Sequence, residues 1–115
     1  MFKKVEYCGF DKKPELRQLA GKVVTVLEEE IHSWQDKIEV VLKVLEENPI
    51  AVEIFLTLIL PVGSGIGLRV LSVKELENPE TLLRYCRDVW DQALGSYLEK
   101  RKPVWDEIVH QPVEA

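Results

Sequence analysis

Apolar residues recur along the first half of the chain in a helical rhythm. Ala20, Val24, Leu27, Ile31, Trp34, Ile38, Val41 and Leu45 follow one another at steps of 4, 3, 4, 3, 4, 3 and 4, which places all eight on one stripe of a helix. The pattern predicts one long helix over about 14–47. Pro14 opens it where a missing N–H is harmless, and Pro49 closes it by pushing the preceding residue out of the α region. Val24, Ile31, Ile38 and Leu45 fall at heptad a positions, and Ala20, Leu27, Trp34 and Val41 at d, a seam of the coiled-coil kind. Val23, Leu42 and Val44 widen that seam toward the broader face of a globular bundle. Gly21 is a weak point, disfavoured by about 1 kcal/mol against Ala, and marks a candidate kink.

Before this helix, residues 1–13 read as an ordered arm with Phe2, Val5, Tyr7 and Phe10 among charges; Val5 and Tyr7 alternate as in a short strand. After it, Asn48-Pro49 and Asn78-Pro79 each combine a favoured N-cap with a favoured first helical residue, so both pairs read as helix starts. Residues 49–62 are almost wholly apolar, with Glu53 and Thr57 the polar exceptions, and a core helix is predicted over 49–60. The alternative is a β-hairpin over 54–73, turning at Gly63-Ser64-Gly65, although Pro61 and the excess of leucine disfavour strands. From Pro49 to Leu68 only one charge occurs, just the length of a bilayer span, but Glu53 and the Pro61-to-Gly65 punctuation make it a poor one. Leu83, Trp90 and Tyr97 then repeat at seven, predicting a helix over 79–100, where Lys100-Arg101-Lys102 suits the negative end of the helix dipole. A short helix over 103–110 has Trp105, Ile108 and Val109 on one side, and a frayed tail follows at 111–115. The fold expected is therefore all-α, a small helical bundle organised on its first helix.

Composition changes this picture little. A chain of 115 residues with 46% apolar and 30% charged content makes one domain, 1–115. The net charge of −5 is uneven, with +3 over residues 1–22 and −6 over 23–53. An acidic body lacks the basic stripe that nucleic-acid binding needs. Cys8 and Cys86 form neither a disulfide framework nor a metal motif. No apolar signal region follows Met1-Phe2-Lys3-Lys4, so a cytoplasmic location is expected.

Candidate chemistry is thin. Glu28, His32 and Asp36 share the i, i+4, i+8 spacing of ligands on one helix face, but one exposed face converges poorly on a metal. The glycine stretch 63–67 has neither a dinucleotide fingerprint, nor a P-loop Gly-Lys-Ser/Thr, nor a nucleophile elbow. Glu53 stands out as a carboxylate in an apolar run, the kind of group that clusters at functional sites, and Arg69 is its nearest candidate counter-charge, with Tyr7 or His32 as further pocket members. No Ser-His-Asp, paired-carboxylate or Cys-His arrangement is legible, so no catalytic, cofactor-binding or metal residues are assigned and no cofactor is expected. The expected function is a non-enzymatic helical interaction or scaffolding module. It would form a homodimer through the first helix at Val24, Leu27, Ile31, Trp34, Ile38, Val41 and Leu45, and present a face to an unidentified protein partner. The alternatives are a small-molecule or anion-binding, enzymatic domain with a pocket near Glu53 and Arg69, or a membrane-associated protein using 49–68.

Overall fold

Four strands, not a bundle, form the centre of the molecule. A computed structural model describes residues 1–46 and 49–110, with the side chains of the last helix as far as Glu99. The elements run β1 (Lys4–Cys8), α1 (Pro14–Glu30), a single 3-10 turn (Gln35–Lys37), β2 (Ile38–Leu45), β3 (Ala51–Leu60), β4 (Gly63–Ser72), α2 (Val73–Glu77) and α3 (Pro79–His110). The sheet has the order β1-β2-β3-β4. Strands β1 and β2 are parallel and joined through α1, whereas β2, β3 and β4 form an antiparallel meander, as expected where parallel strands need a long crossover and antiparallel ones do not.

The all-α expectation is thus overturned, and with it the helical-bundle and coiled-coil readings. The helix predicted over 14–47 stops at Glu30. Gln35 closes it, its Nε2 donating to the Glu28 and Ile31 carbonyls at 2.9 and 2.6 Å, and the chain turns at Trp34 with a left-handed φ of 60°. The rest of the apparent heptad is β2, where Ile38, Val40, Leu42 and Val44 are buried. In a run as apolar as 38–45 the residues fit a period of 3.5 and a period of 2 equally well, and the β-branched Ile38, Val40, Val41 and Val44 favour the strand. The core helix predicted over 49–60 is β3. It pairs with β4 in the hairpin held as the alternative, but turns at Pro61-Val62, so the glycines 63–67 lie inside a strand rather than in a loop. Pro61 is tolerated because it stands in the turn. The arm 1–13 contributes β1. The helices predicted over 79–100 and 103–110 are one rod, α3, so Lys100-Arg101-Lys102 sit within a helix and the dipole argument for them lapses. Gly21 does not break α1. Asn78 does start a helix, its Oδ1 accepting from the Thr81 N–H at 3.1 Å; Asn48 and the tail 111–115 lie outside the described residues.

Both long helices cover the same face of the sheet. Leu16, Ala20, Val23, Val24 and Leu27 of α1 and Leu82, Cys86, Val89 and Ala93 of α3 are buried with the inward residues of β2 and β3, and Tyr97 is buried beside Gly63 and Gly65 of β4. Helix α3 lies directly on β4. A methyl group at Gly65 would overlap the Ala93 carbonyl oxygen, and one at Gly67 the Val89 carbonyl oxygen, so glycine is what lets helix backbone meet strand backbone here. The edge of β4 is partly closed by the same helix: the Leu68 N–H donates to Gln92 Oε1 at 3.0 Å. Between them, α2 is fixed by a capping box, with Ser72 Oγ accepting from the Glu75 N–H and Glu75 Oε1 accepting from the Ser72 N–H. That backbone N–H holds the Glu75 carboxyl below the usual carboxylate range.

Candidate functional site

With both helices on one side, no element of the described residues forms a layer over the other face of the sheet. Strand alternation and register settle what it carries. Across β1 to β4 the directly opposed residues form three rows on this open face: Cys8, Lys43, Glu53 and Val70; Glu6, Val41, Phe55 and Leu68; Lys4, Glu39, Thr57 and Ile66. Four of the five charged members lie on β1 and β2, Glu53 and Thr57 flank Phe55 on β3, and β4 is apolar in all three rows. Lys4 and Glu6 pair at 2.6 Å, which raises the Lys4 ammonium above its ordinary value. Leu68 and Val70 are 40% and 48% exposed, and Ile59 and Ile66 are exposed beside them. Half-buried Val41 and Phe55 complete a contiguous apolar band. Antiparallel sheets commonly solvate one face with polar residues; this one leaves Ile66, Leu68 and Val70 of β4, with Phe55 and Ile59 of β3, on its outer face.

The band continues to one end of the sheet. The start of β2 pairs with the end of β3, at Ile38 opposite Leu58, so the 3-10 turn, Trp34 and the Pro61-Val62 turn share that end. Trp34 is 48% and Val62 65% exposed. Trp34 keeps its left-handed backbone because its neighbours are pinned: the Met1 ammonium donates to Gln35 Oε1 at 2.7 Å, and the Lys3 N–H bonds to the carbonyls of Gln35 and Ile38.

The residues singled out from the sequence are distributed differently. Val24, Leu27, Ile31 and Ile38 are buried in the chain's own core, Val41 and Leu45 lie on the open face, and Trp34 is exposed at the sheet end. Glu53 and Arg69 do not converge. Glu53 lies on the open face opposite Lys43 and Val70, whereas Arg69 stands opposite Ile54 on the covered face and reaches Gln92 of α3. Tyr7 is also on the covered face, beneath the Arg17 guanidinium at 3.3 Å, and His32 is exposed beyond α1. Among the described residues no three His, Cys, Asp or Glu side chains gather as metal ligands, and no helix is long and apolar enough to cross a membrane.

A second concavity, of about 660 Å³, runs between α1 and α2 with Lys12, Lys13, Lys22, Glu15 and Glu77 around Ile50 and Val73. Lys13 is engaged by Glu46 at 2.7 Å, which lowers the Glu46 carboxyl. Its lining, as far as the described residues show, holds no histidine, cysteine, serine, threonine or tyrosine, and its polar groups are lysines, glutamates and Gln18. Cys86 is no better placed for chemistry, since burial, then Glu30, pushes its thiol up to about 12. The open face was hidden in the sequence because Ile66, Leu68 and Val70 define it only once β4 is read at period 2; the alternation of Gly65 and Gly67 with Ile66 and Leu68 was the available signal. The chain matches no protein-family model, and comparisons with curated proteins and with solved structures find no match.

Proposed function

We propose that this chain is a non-enzymatic protein-interaction module whose working surface is the uncovered face of its sheet. The observation that carries this reading is the apolar band of Val41, Phe55, Ile59, Ile66, Leu68 and Val70 on a face that no helix covers. Contiguous exposed apolar surface bordered by charge marks interaction sites more often than it marks anything else on a small protein. A pocket built on Glu53 and Arg69, the small-molecule and enzymatic alternative, has less support, because the two residues lie on opposite faces of the sheet.

Site-specific photocrosslinking in the native cell tests the reading. A benzophenone side chain at position 68 is expected to trap a discrete protein adduct, whether a second copy or another chain. The same group at Thr25, exposed on α1, is expected to trap none. Equal labelling from both positions, or no adduct from position 68, would refute it.

A further inference from the structure

Strand β4 ends the sheet on one side, so half of its main-chain groups face outward rather than toward β3. Two contacts identify which half. The Leu68 N–H donates to Gln92 Oε1 of α3 at 3.0 Å, and the Ser72 N–H donates to Glu75 Oε1 at 2.9 Å. In an antiparallel pair the outward groups recur at every second residue, so Ile66 and Val70 turn theirs outward as well. Among the described residues no side chain bonds to those two. Leu68, midway between them, is closed twice. Arg69 Nη1 donates to the Leu68 carbonyl at 3.3 Å and reaches Gln92 Oε1 at 3.5 Å. Gln92 and Arg69 thus occupy both outward groups of Leu68 and brace each other. Gln92 is exposed and Arg69 half-buried, so both can swing away without disturbing the core.

We propose that the border of β4 is a strand-acceptor site, held shut by Gln92 and Arg69, for an extended segment of another chain. A strand added here draws on the outward groups of Ile66, Leu68 and Val70 at successive rungs. With the middle rung taken, and Gln92 standing in the space the new strand needs, the ladder cannot form. The occupant is a bare strand rather than a second copy of the domain. Helix α3 lies on β4 itself, since a Cβ at Gly65 or Gly67 would meet its backbone. Neighbouring strands are about 4.8 Å apart, whereas packed helices need roughly 8–10 Å. Two copies joined antiparallel through β4 would therefore drive their α3 helices together, and a segment without a helix meets no such obstacle. Its side chains must alternate. Those beside Ile66, Leu68 and Val70 on the open face are apolar, and those on the α3 side are small or polar, where the displaced Gln92 and Arg69 meet them. The sequence of β4, Gly63 to Ser72, has that alternation itself. Laid antiparallel and centred on Leu68, it sets Ile66 opposite Val70.

Amide hydrogen exchange and peptide binding, both on the full chain, test this. In wild type the Leu68 amide is expected to exchange at least about 10-fold more slowly than those of Ile66 and Val70. Gln92→Leu removes the acceptor while keeping the bulk, and is expected to bring Leu68 to the rate of its neighbours. The same variant is expected to bind a fluorescent synthetic peptide of residues 63–72 at least about 10-fold more tightly than wild type. Gln92→Glu still accepts from Leu68 and pairs with Arg69, so it is expected to behave as wild type. Asp91→Leu, at an exposed position on the same helix, controls for added apolar surface and is expected to change nothing. Gln92→Ala replaces Gln92→Leu if circular dichroism shows the latter unfolded. A wild-type Leu68 amide as fast as its neighbours, peptide binding unchanged by Gln92→Leu, or an equal gain from Asp91→Leu would overturn the proposal. Self-association of the Gln92→Leu chain without peptide would overturn it too, by making a second copy the occupant. None of these results depends on an adduct from position 68, so the open-face reading stands or falls separately.

Discussion

Replacing Gly67 by alanine adds one carbon at the point where α3 lies closest to the sheet. That carbon would sit about an ångström inside contact distance of the Val89 carbonyl oxygen. The obstacle is helix backbone, so no side chain can rotate away and α3 must lift locally by about that amount. A gap of this size forfeits a quarter to a half of the dispersion well for the atoms that face it, and Cys86, Val89 and Ala93 are all fully buried there. Overpacking of this kind costs about 1–3 kcal/mol, and the loosened contacts of three core residues bring the expected loss to about 2–4 kcal/mol. Alanine returns a few tenths to 1 kcal/mol by restricting the unfolded chain. The same substitution elsewhere isolates the cause. At Gly21 a methyl group meets only Arg17 Nη1, at 3.5 Å, and at Gly95 it meets nothing within 4 Å. Both lie inside helices, so Gly21→Ala and Gly95→Ala are expected to stabilise by about 0.5–1 kcal/mol. Urea unfolding of the three variants, with unchanged dependence on denaturant, measures all of this. A Gly67→Ala protein within about 0.5 kcal/mol of wild type would refute the close packing of α3 on β4.

Other consequences are equally direct. Thiol labelling of the native protein should modify exposed Cys8 readily and buried Cys86 only on unfolding; rapid labelling of both would contradict the packing of α3. Because the folded Cys86 thiol ionises near pH 12 and an unfolded one near 8.5, the unfolded state binds fewer protons between these values. Stability contributed by this group is therefore complete below about pH 8.5 and is lost as pH rises toward 12, at up to about 1.4 kcal/mol per unit. Cys86→Ala should flatten that part of the pH profile, and an unchanged slope would remove the thiol as its source. Ser72→Ala removes the α2 cap and should lower stability by about 0.5–2 kcal/mol; hydrogen exchange should rise in α2 first. Arg87 meets Glu30 at 3.0 Å in a largely exposed pair, so Arg87→Ala should change stability by less than about 1 kcal/mol, with the difference vanishing in high salt.

How much of this was legible in the sequence depends on the segment. Helix boundaries set by local chemistry could be read: Pro14 opens α1 and Asn78-Pro79 opens α3, because caps act within a few residues. The strands could not be read with the same ease, since both faces of β2 and β3 are apolar near the middle of the sheet. Val41 and Phe55 on the outer face erase the alternation that Val40 and Leu42, or Ile54 and Leu56, would otherwise display. The continuation of a heptad from Ile31 into Trp34, Ile38 and Val41 then looked like one helix, although the chain reverses there through a left-handed tryptophan. Register sets Glu53 opposite Val70 and Arg69 opposite Ile54, pairs 17 and 15 residues apart in sequence, and it alone separates Glu53 from Arg69. Their two-sided placement was therefore beyond any reading of the sequence as a line. The unusual exposure of the outer face is invisible for the same reason: it exists only because α1 and α3 both chose the other side.

One small contact bears on how far association can go. A sheet edge with free amides invites another strand, and then another, without limit. Here Gln92 reaches from α3 to the Leu68 N–H on the β4 border, and on the opposite border β1 is only five residues long, with Lys4 and Glu6 engaged with each other. Growth by adding strands is thereby discouraged at both borders while the face between them stays open. Under the interaction reading proposed above, assemblies would keep a fixed size, because a face, unlike an edge, is used up once it is covered.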